Sequence, residues 1–188
     1  MRLSRLVSLM FAAALLLANA PLAYRLDTRA SEVTAKVAFI GIASKTAGFP
    51  RMSGSVSIVP DDPGLAKIDV VLDARALTAP DKVTLERLRG EKFFWVERYP
   101  TVRFTGERLV MRDARRGEIK GTLTARGVSR PETLLVTFER PPAQATGGQP
   151  ITLSGRMQID RREYGMTAYS LIVGRTVDIR LTARMIPA

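Results

Sequence analysis

The sequence predicts an all-β fold of about eight antiparallel strands, closed into a barrel or stacked as a sandwich, with one short helix between the third and fourth strands. Three observations carry this expectation. Apolar residues recur at every second position from Glu32 onward, turn-forming clusters separate the runs, and one stretch alone changes period. The 188 residues suit a single domain, and no charge block or composition shift divides them.

The first run is Val33, Ala35, Val37 and Phe39, and the second is Met52, Gly54, Val56 and Ile58. Pro60-Asp61-Asp62-Pro63-Gly64 then turns the chain into a third run, Ala66, Ile68, Val70 and Leu72. Here the period breaks. Thr78 offers an N-cap, Pro80 lies near the first turn, and Asp81 supplies an acid three residues after the cap. Val83, Leu85 and Leu88 fit a short helix ending near Gly90, placed to plug or cover one end of a barrel. It leads into Phe93-Phe94-Trp95, the densest aromatic cluster in the chain.

Alternation resumes with Val102, Phe104 and Gly106, and after Arg115-Arg116-Gly117 with Ile119, Gly121, Leu123 and Ala125. The turn Gly127 to Pro131 leads to Leu134, Val136 and Phe138, and Arg140 to Pro150 reads as a mobile surface loop. The last two runs are Ile151, Leu153, Gly155, Met157, Ile159 and Val177, Ile179, Leu181, Ala183, Met185. Intervening positions, such as Ser53, Ser55, Ser57 and Arg180, Thr182, Arg184, form the wet face.

The apolar face contains Ala35, Gly54, Gly106, Gly121, Ala125, Gly155 and Ala183 among larger residues. Small inward residues leave room for a ligand in a barrel of this size, or mark the bulges and bends that curve its strands; the pattern fits both. A barrel with its apolar face on lipid would show the same period. The low aromatic content of 6%, the short runs and the internal helix favour a soluble barrel.

Residues 1–20 have the layout of a secretory signal peptide: Arg2 and Arg5, an uncharged run from Leu6 to Leu17, and Ala18-Asn19-Ala20 as the cleavage site. Pro21 disfavours the bond after Ala20, so the bond after Ala23 is an alternative. The mature domain is then residues 21–188, periplasmic, and reliant on its own core, since the chain has no cysteine for a disulfide.

Lacking both cysteine and histidine, the chain has no thiolate nucleophile, no Ser-His-Asp triad and no zinc site of the Cys/His kind. Asp61-Asp62, the only adjacent acidic pair, reads as a solvated turn rather than a catalytic dyad. No catalytic residue, metal ligand or required cofactor is therefore assigned, and the protein is not expected to be an enzyme; a carboxylate-based hydrolase is the rival from that class. The net charge of +11, or +9 without Arg2 and Arg5, is spread along the chain. It describes a basic surface without a nucleic-acid partner. It permits transient contact with an anionic membrane surface, or an anion- and head-group-binding module as the alternative function.

Tyr24-Arg25-Leu26-Asp27 followed by Val33 to Phe39 opens the domain, and Leu88-Arg89 through Phe93-Phe94 to Tyr99-Pro100 and Phe104 reads L-R-x-x-x-F-F…Y-P-x-x-x-F. Gly121-Thr122-Leu123-Thr124 through Gly127-Val128 to Pro131 reads G-x-L-T-x-x-G-V-x-x-P, and Arg161-Arg162-Glu163-Tyr164-Gly165-Met166 follows near the end. These four ordered motifs resemble the opening strand, the aromatic signature, the turn and the closing segment of the YceI-like family of lipocalin-like, polyisoprenoid-binding periplasmic proteins. Where relatives carry Arg, Asp and His before the Phe pair, this chain has Thr84, Leu85 and Arg87, and Ser44 stands near another family histidine. No role of those histidines is carried over.

The resemblance implies an extended lipocalin-like barrel whose apolar tunnel holds a long isoprenoid chain, a quinone tail or polyprenyl carrier, without catalysis. Phe39, Phe104, Leu123 and Met157 are the expected lining, being apolar and inward by period. Phe93, Phe94 and Met166 border the opening by their match to the motifs. Trp95 is read as a packing or surface-anchoring aromatic, and Arg161 with Glu163 as an ion pair at the rim or a head-group contact. The sequence leaves a homodimer open.

Overall fold

The computed structural model describes residues 21–41 and 43–188; the expected leader over 1–20 lies outside the described residues. Ten strands form one antiparallel sheet: β1 (Leu22–Leu26), β2 (Glu32–Phe39), β3 (Ala43–Gly48), β4 (Met52–Ile58), β5 (Lys67–Asp73), β6 (Thr101–Met111), β7 (Arg116–Ala125), β8 (Val128–Phe138), β9 (Ile151–Asp160) and β10 (Val173–Pro187). Their order is β1-β4-β5-β6-β7-β8-β9-β10-β2-β3, and β1 also pairs with β10. Eight strands thus close a barrel, which removes its sheet edges, while β2 and β3 extend from β10 as a flap.

The sequence reading missed two strands, so the helix is displaced in the strand count. Helix α1 (Lys82–Arg89) lies after β5, not between the third and fourth strands. Strand β1 is only five residues long, too short to establish a period, yet it seals the barrel by burying Tyr24 and Leu26. Strand β3 reads Ala-Ser-Lys-Thr-Ala-Gly, without apolar alternation. It forms because β2 supplies a complete ladder partner from Thr34↔Gly48 to Phe39↔Ala43.

The cap of α1 also differs from expectation. Asp81, rather than Thr78, is the N-cap, accepting from the Thr84 amide at 2.8 Å, while Thr78 bridges to Gly48. The same carboxylate takes Lys45 Nζ of β3 at 2.7 Å. The Lys45 ammonium, then the Thr84 amide and hydroxyl, hold the Asp81 carboxyl well below the usual carboxylate range. One side chain therefore starts the helix and ties it to the flap. The loop from Arg140 to Pro150 is laid on the barrel, with Pro142 buried and Gly147 against the Leu22 side chain.

One end of the barrel is solid. Tyr24, Ile58, Leu109 and Phe138 are buried there, each such side chain contributing roughly 1.5–3 kcal/mol by leaving water. The inward glycines answer mainly to close approach. Gly106 pairs with Gly121, and β6 shifts register just after it, so the wall bends at this point. A Cβ on Gly121 would lie 2.2 Å from the Thr105 carbonyl oxygen and 2.9 Å from Gly106 Cα. Gly121→Ala is expected to cost about 1–3 kcal/mol through overpacking. Urea unfolding checks this, and an unchanged midpoint would show that the bend is not needed.

Candidate functional site

The other part of the barrel is hollow. Beneath β2, β3 and α1 runs a cavity of ≈ 210 Å³, and its wall is almost wholly aliphatic and aromatic. That exceeds the roughly 150 Å³ apolar cavity that stays dry and takes up benzene. Alternation builds the wall: Val33, Ala35 and Val37 of β2 face in, as do Val177, Ile179, Leu181 and Ala183 of β10, their registered partners including Ala35↔Ile179 and Val33↔Leu181. Polar lining is confined to two places. Lys45, Thr46, Thr84 and Arg161 border the cavity by α1 and the start of β10, and Ser31 and Thr182 by the start of β2.

Of the residues expected to line a tunnel, Phe104, Leu123 and Met157 do so, and Phe93, Phe94 and Met166 join them on the same cavity. Phe39 does not. Its partner Val173 precedes the last β9–β10 pair, Thr176↔Asp160, so Phe39 overhangs the barrel wall and packs its ring under Lys45 Nζ at 5.6 Å. Phe94 meets Phe49 edge-on at 5.8 Å, a contact that fixes the post-helix segment against the mouth of the flap. Trp95 is a packing residue, edge-on to Tyr99 at 5.9 Å with the Arg98 guanidinium 4.9 Å above its ring.

The expected Arg161–Glu163 ion pair does not form. Arg161 is 2% exposed, whereas Glu163 is exposed. Its guanidinium instead donates from Nε to the Gly174 carbonyl at 2.8 Å, from Nη2 to Val173 at 3.0 Å, and from Nη1 to Met166, with the Phe93 ring 5.9 Å away. The side chain begins in a 3-10 turn, Arg161–Tyr164, and clamps the loop that returns to β10. Burial depresses its basicity, and no carboxylate accepts from it among the described residues. This is the buried cation of the cavity wall.

A second feature was not legible in the sequence. Strands β8 and β9 pair only from Leu135↔Arg156 to Phe138↔Leu153, so the earlier part of β8 is left without that ladder. Tyr164, fully buried, fills the opening and donates its hydroxyl to Glu132 Oε1 at 2.8 Å. Burial raises the Glu132 carboxyl above its ordinary range; burial and the Glu132 hydrogen bond push the Tyr164 hydroxyl up as well. The pair closes the wall with a polar plug.

A family model described as the YceI-like domain matches residues 24–185. The chain belongs to the YceI-like family. A UPF0312 protein of Vibrio vulnificus is 23% identical over 145 residues, 76% of this chain and 77% of its own length. A UPF0312 protein of Vibrio cholerae is 24% identical over the same length. Among solved structures, Burkholderia cenocepacia BcnA superposes with a TM-score of 0.75 at 20% identity, covering 85% of this chain and 98% of its own. A Saccharophagus degradans domain described as polyisoprenoid binding gives 0.67 at 17% identity, covering 89% and 99%. At these identities the likeness establishes the YceI-like barrel, and the lining of the cavity has to be read from this chain itself.

Two variants test the reading of the wall. Arg161→Ala leaves three carbonyls facing an apolar cavity and is expected to lower stability by about 3 kcal/mol in urea unfolding, with Arg161→Lys intermediate; equal stability of all three would remove the clamp. For Glu132, a folded-state pKa above its ordinary 4.5 means that its stabilising contribution is complete below that pH and is lost as pH rises through the raised value. Glu132→Gln keeps an acceptor for Tyr164 without the charge. The gap in melting temperature between Gln variant and wild type should therefore widen in the variant's favour from pH 4.5 upward; a constant gap would contradict the assignment.

Proposed function

We propose that the protein is exported to the periplasm, with its leader removed near Ala20, and there binds a long isoprenoid lipid, a quinone tail or polyprenyl chain, non-covalently and without catalysis. The observation that carries this is the cavity of ≈ 210 Å³ whose wall is apolar along its length and polar only at its borders. A flexible hydrocarbon chain needs a dry tube and few anchors, because transfer from water yields about 25 cal/mol per Å² of apolar area buried. The same ligand class is supported by a structure of like fold, the Saccharophagus degradans domain, which is described as polyisoprenoid binding. The binding role uses no cofactor; the lipid itself is the ligand.

An anion-binding module is less well supported. Arg161, the buried cation of the lining, already spends a donor from each guanidinium nitrogen on backbone carbonyls. The remaining lining cation, Lys45, is paired with Asp81.

Mass spectrometry of organic extracts from the purified protein should show a co-purifying isoprenoid, or uptake of added ubiquinone or polyprenol. Ala183 lines the cavity beside Leu153, its registered neighbour on β9, and leaves the space above it open. Ala183→Phe fills that space, and uptake should fall at least about tenfold while circular dichroism stays that of a folded barrel. No lipid in the extract together with no uptake would sink the proposal.

A further inference from the structure

Two turns meet beside the cavity. The β2–β3 turn carries Ile40, and the loop before β10 carries Tyr169, Leu171 and Ile172; the Ile40 amide donates to the Ile172 carbonyl at 2.8 Å. All four are exposed, Ile40 by 60% and Leu171 by 99%, Tyr169 and Ile172 by a little over one-third, 38% and 39%. Ile40 and Tyr169 sit at positive φ, 50° and 56°, a conformation costly for a β-branched or aromatic residue. Strained backbone is thus retained on both turns while they present large apolar groups outward.

The patch is continuous with the cavity. Phe93 lines the cavity on one side and stacks on the Tyr169 ring on the other, centroids 6.1 Å apart. It is also rimmed by cations. Arg87 and Lys92 each stand 5.4 Å from the Tyr169 ring centroid. The segment from Lys82 to Lys92 that supplies them holds four cations against two carboxylates, Glu86 and Glu91, and Glu86 is engaged by Lys82 at 3.9 Å.

We propose that this tip, Ile40 with Tyr169, Leu171 and Ile172, docks the protein on an anionic phospholipid bilayer and sets the adjoining end of the cavity against the lipid phase. The proposal rests on the isoprenoid reading above, which requires a ligand drawn from a membrane. Apolar side chains backed by Lys and Arg are what an interfacial anchor needs: the former enter the acyl boundary, the latter meet the phosphates, and Tyr takes the headgroup level. The patch is small, so attachment is reversible, as a carrier or sensor requires.

Flotation with vesicles tests it. The purified protein should float with phosphatidylethanolamine–phosphatidylglycerol vesicles and far less with phosphatidylcholine alone. Leu171→Asp combined with Ile172→Asp should reduce flotation at least about tenfold while uptake of detergent-dispersed ubiquinone is unchanged, which also certifies the fold. Leu171→Trp should give indole emission that shifts to the blue on adding anionic vesicles. Docking is overturned if the wild type does not float, floats equally on phosphatidylcholine, or floats undiminished with both aspartates, or if the introduced indole stays in water. Failure of the wild type to take up ubiquinone from detergent, with flotation intact, would instead strike the isoprenoid reading and leave the surface standing.

Discussion

Backbone pairing along β10 is the constraint on which the rest of the structure depends. Over its 15 residues this strand pairs with β9 along one edge, and on the other with β2 from Val173 to Thr182 and then β1 from Met185 to Pro187. The short β1 pairing closes the barrel; the longer β2 pairing opens the wall outward into the flap that roofs the cavity. Arg161 secures the start of the strand through the Val173 and Gly174 carbonyls. Loosening that end would free the flap, the loop of Tyr169 to Ile172 and the cavity border together.

The strand lines the hollow part of the barrel from Val173 to Met185, while another part is packed. Around Tyr24, Ile58, Leu109 and Phe138 the interior is filled. Beneath the flap, small residues such as Ala35 and Ala183 replace large ones and dispersion contacts are forgone. An apolar guest would restore those lost contacts, so under the proposed function the packing deficit and the binding capacity are one property. The exterior stays polar and strongly arginine-rich, with cross-strand pairs such as Arg103–Asp69 that add little stability individually.

Much of this was legible because a strand's period fixes which face a side chain occupies. Phe104, Leu123 and Met157 reach the cavity for that reason, and Phe93, Phe94 and Met166 through family motifs. Period says nothing of height along the barrel, so Phe39 has the right face but overhangs the wall. Strand β3 has no pattern of its own and exists through its partner. Arg161 and Glu163 are two apart in a tight turn, where side chains diverge, which is why their proximity in sequence misled. The Tyr164–Glu132 plug depends on a gap between β8 and β9 that no local pattern encodes.

Under the proposed function, affinity resides in the tail and not in the head. Titrating a quinone series with one head group and increasing numbers of isoprene units, by calorimetry at low and high salt, tests it most directly. Affinity should climb severalfold with each unit until the cavity is full, with a heat-capacity change growing more negative and little effect of salt. Affinity that ignores tail length and collapses at high salt would contradict the account and assign binding to the charged surface.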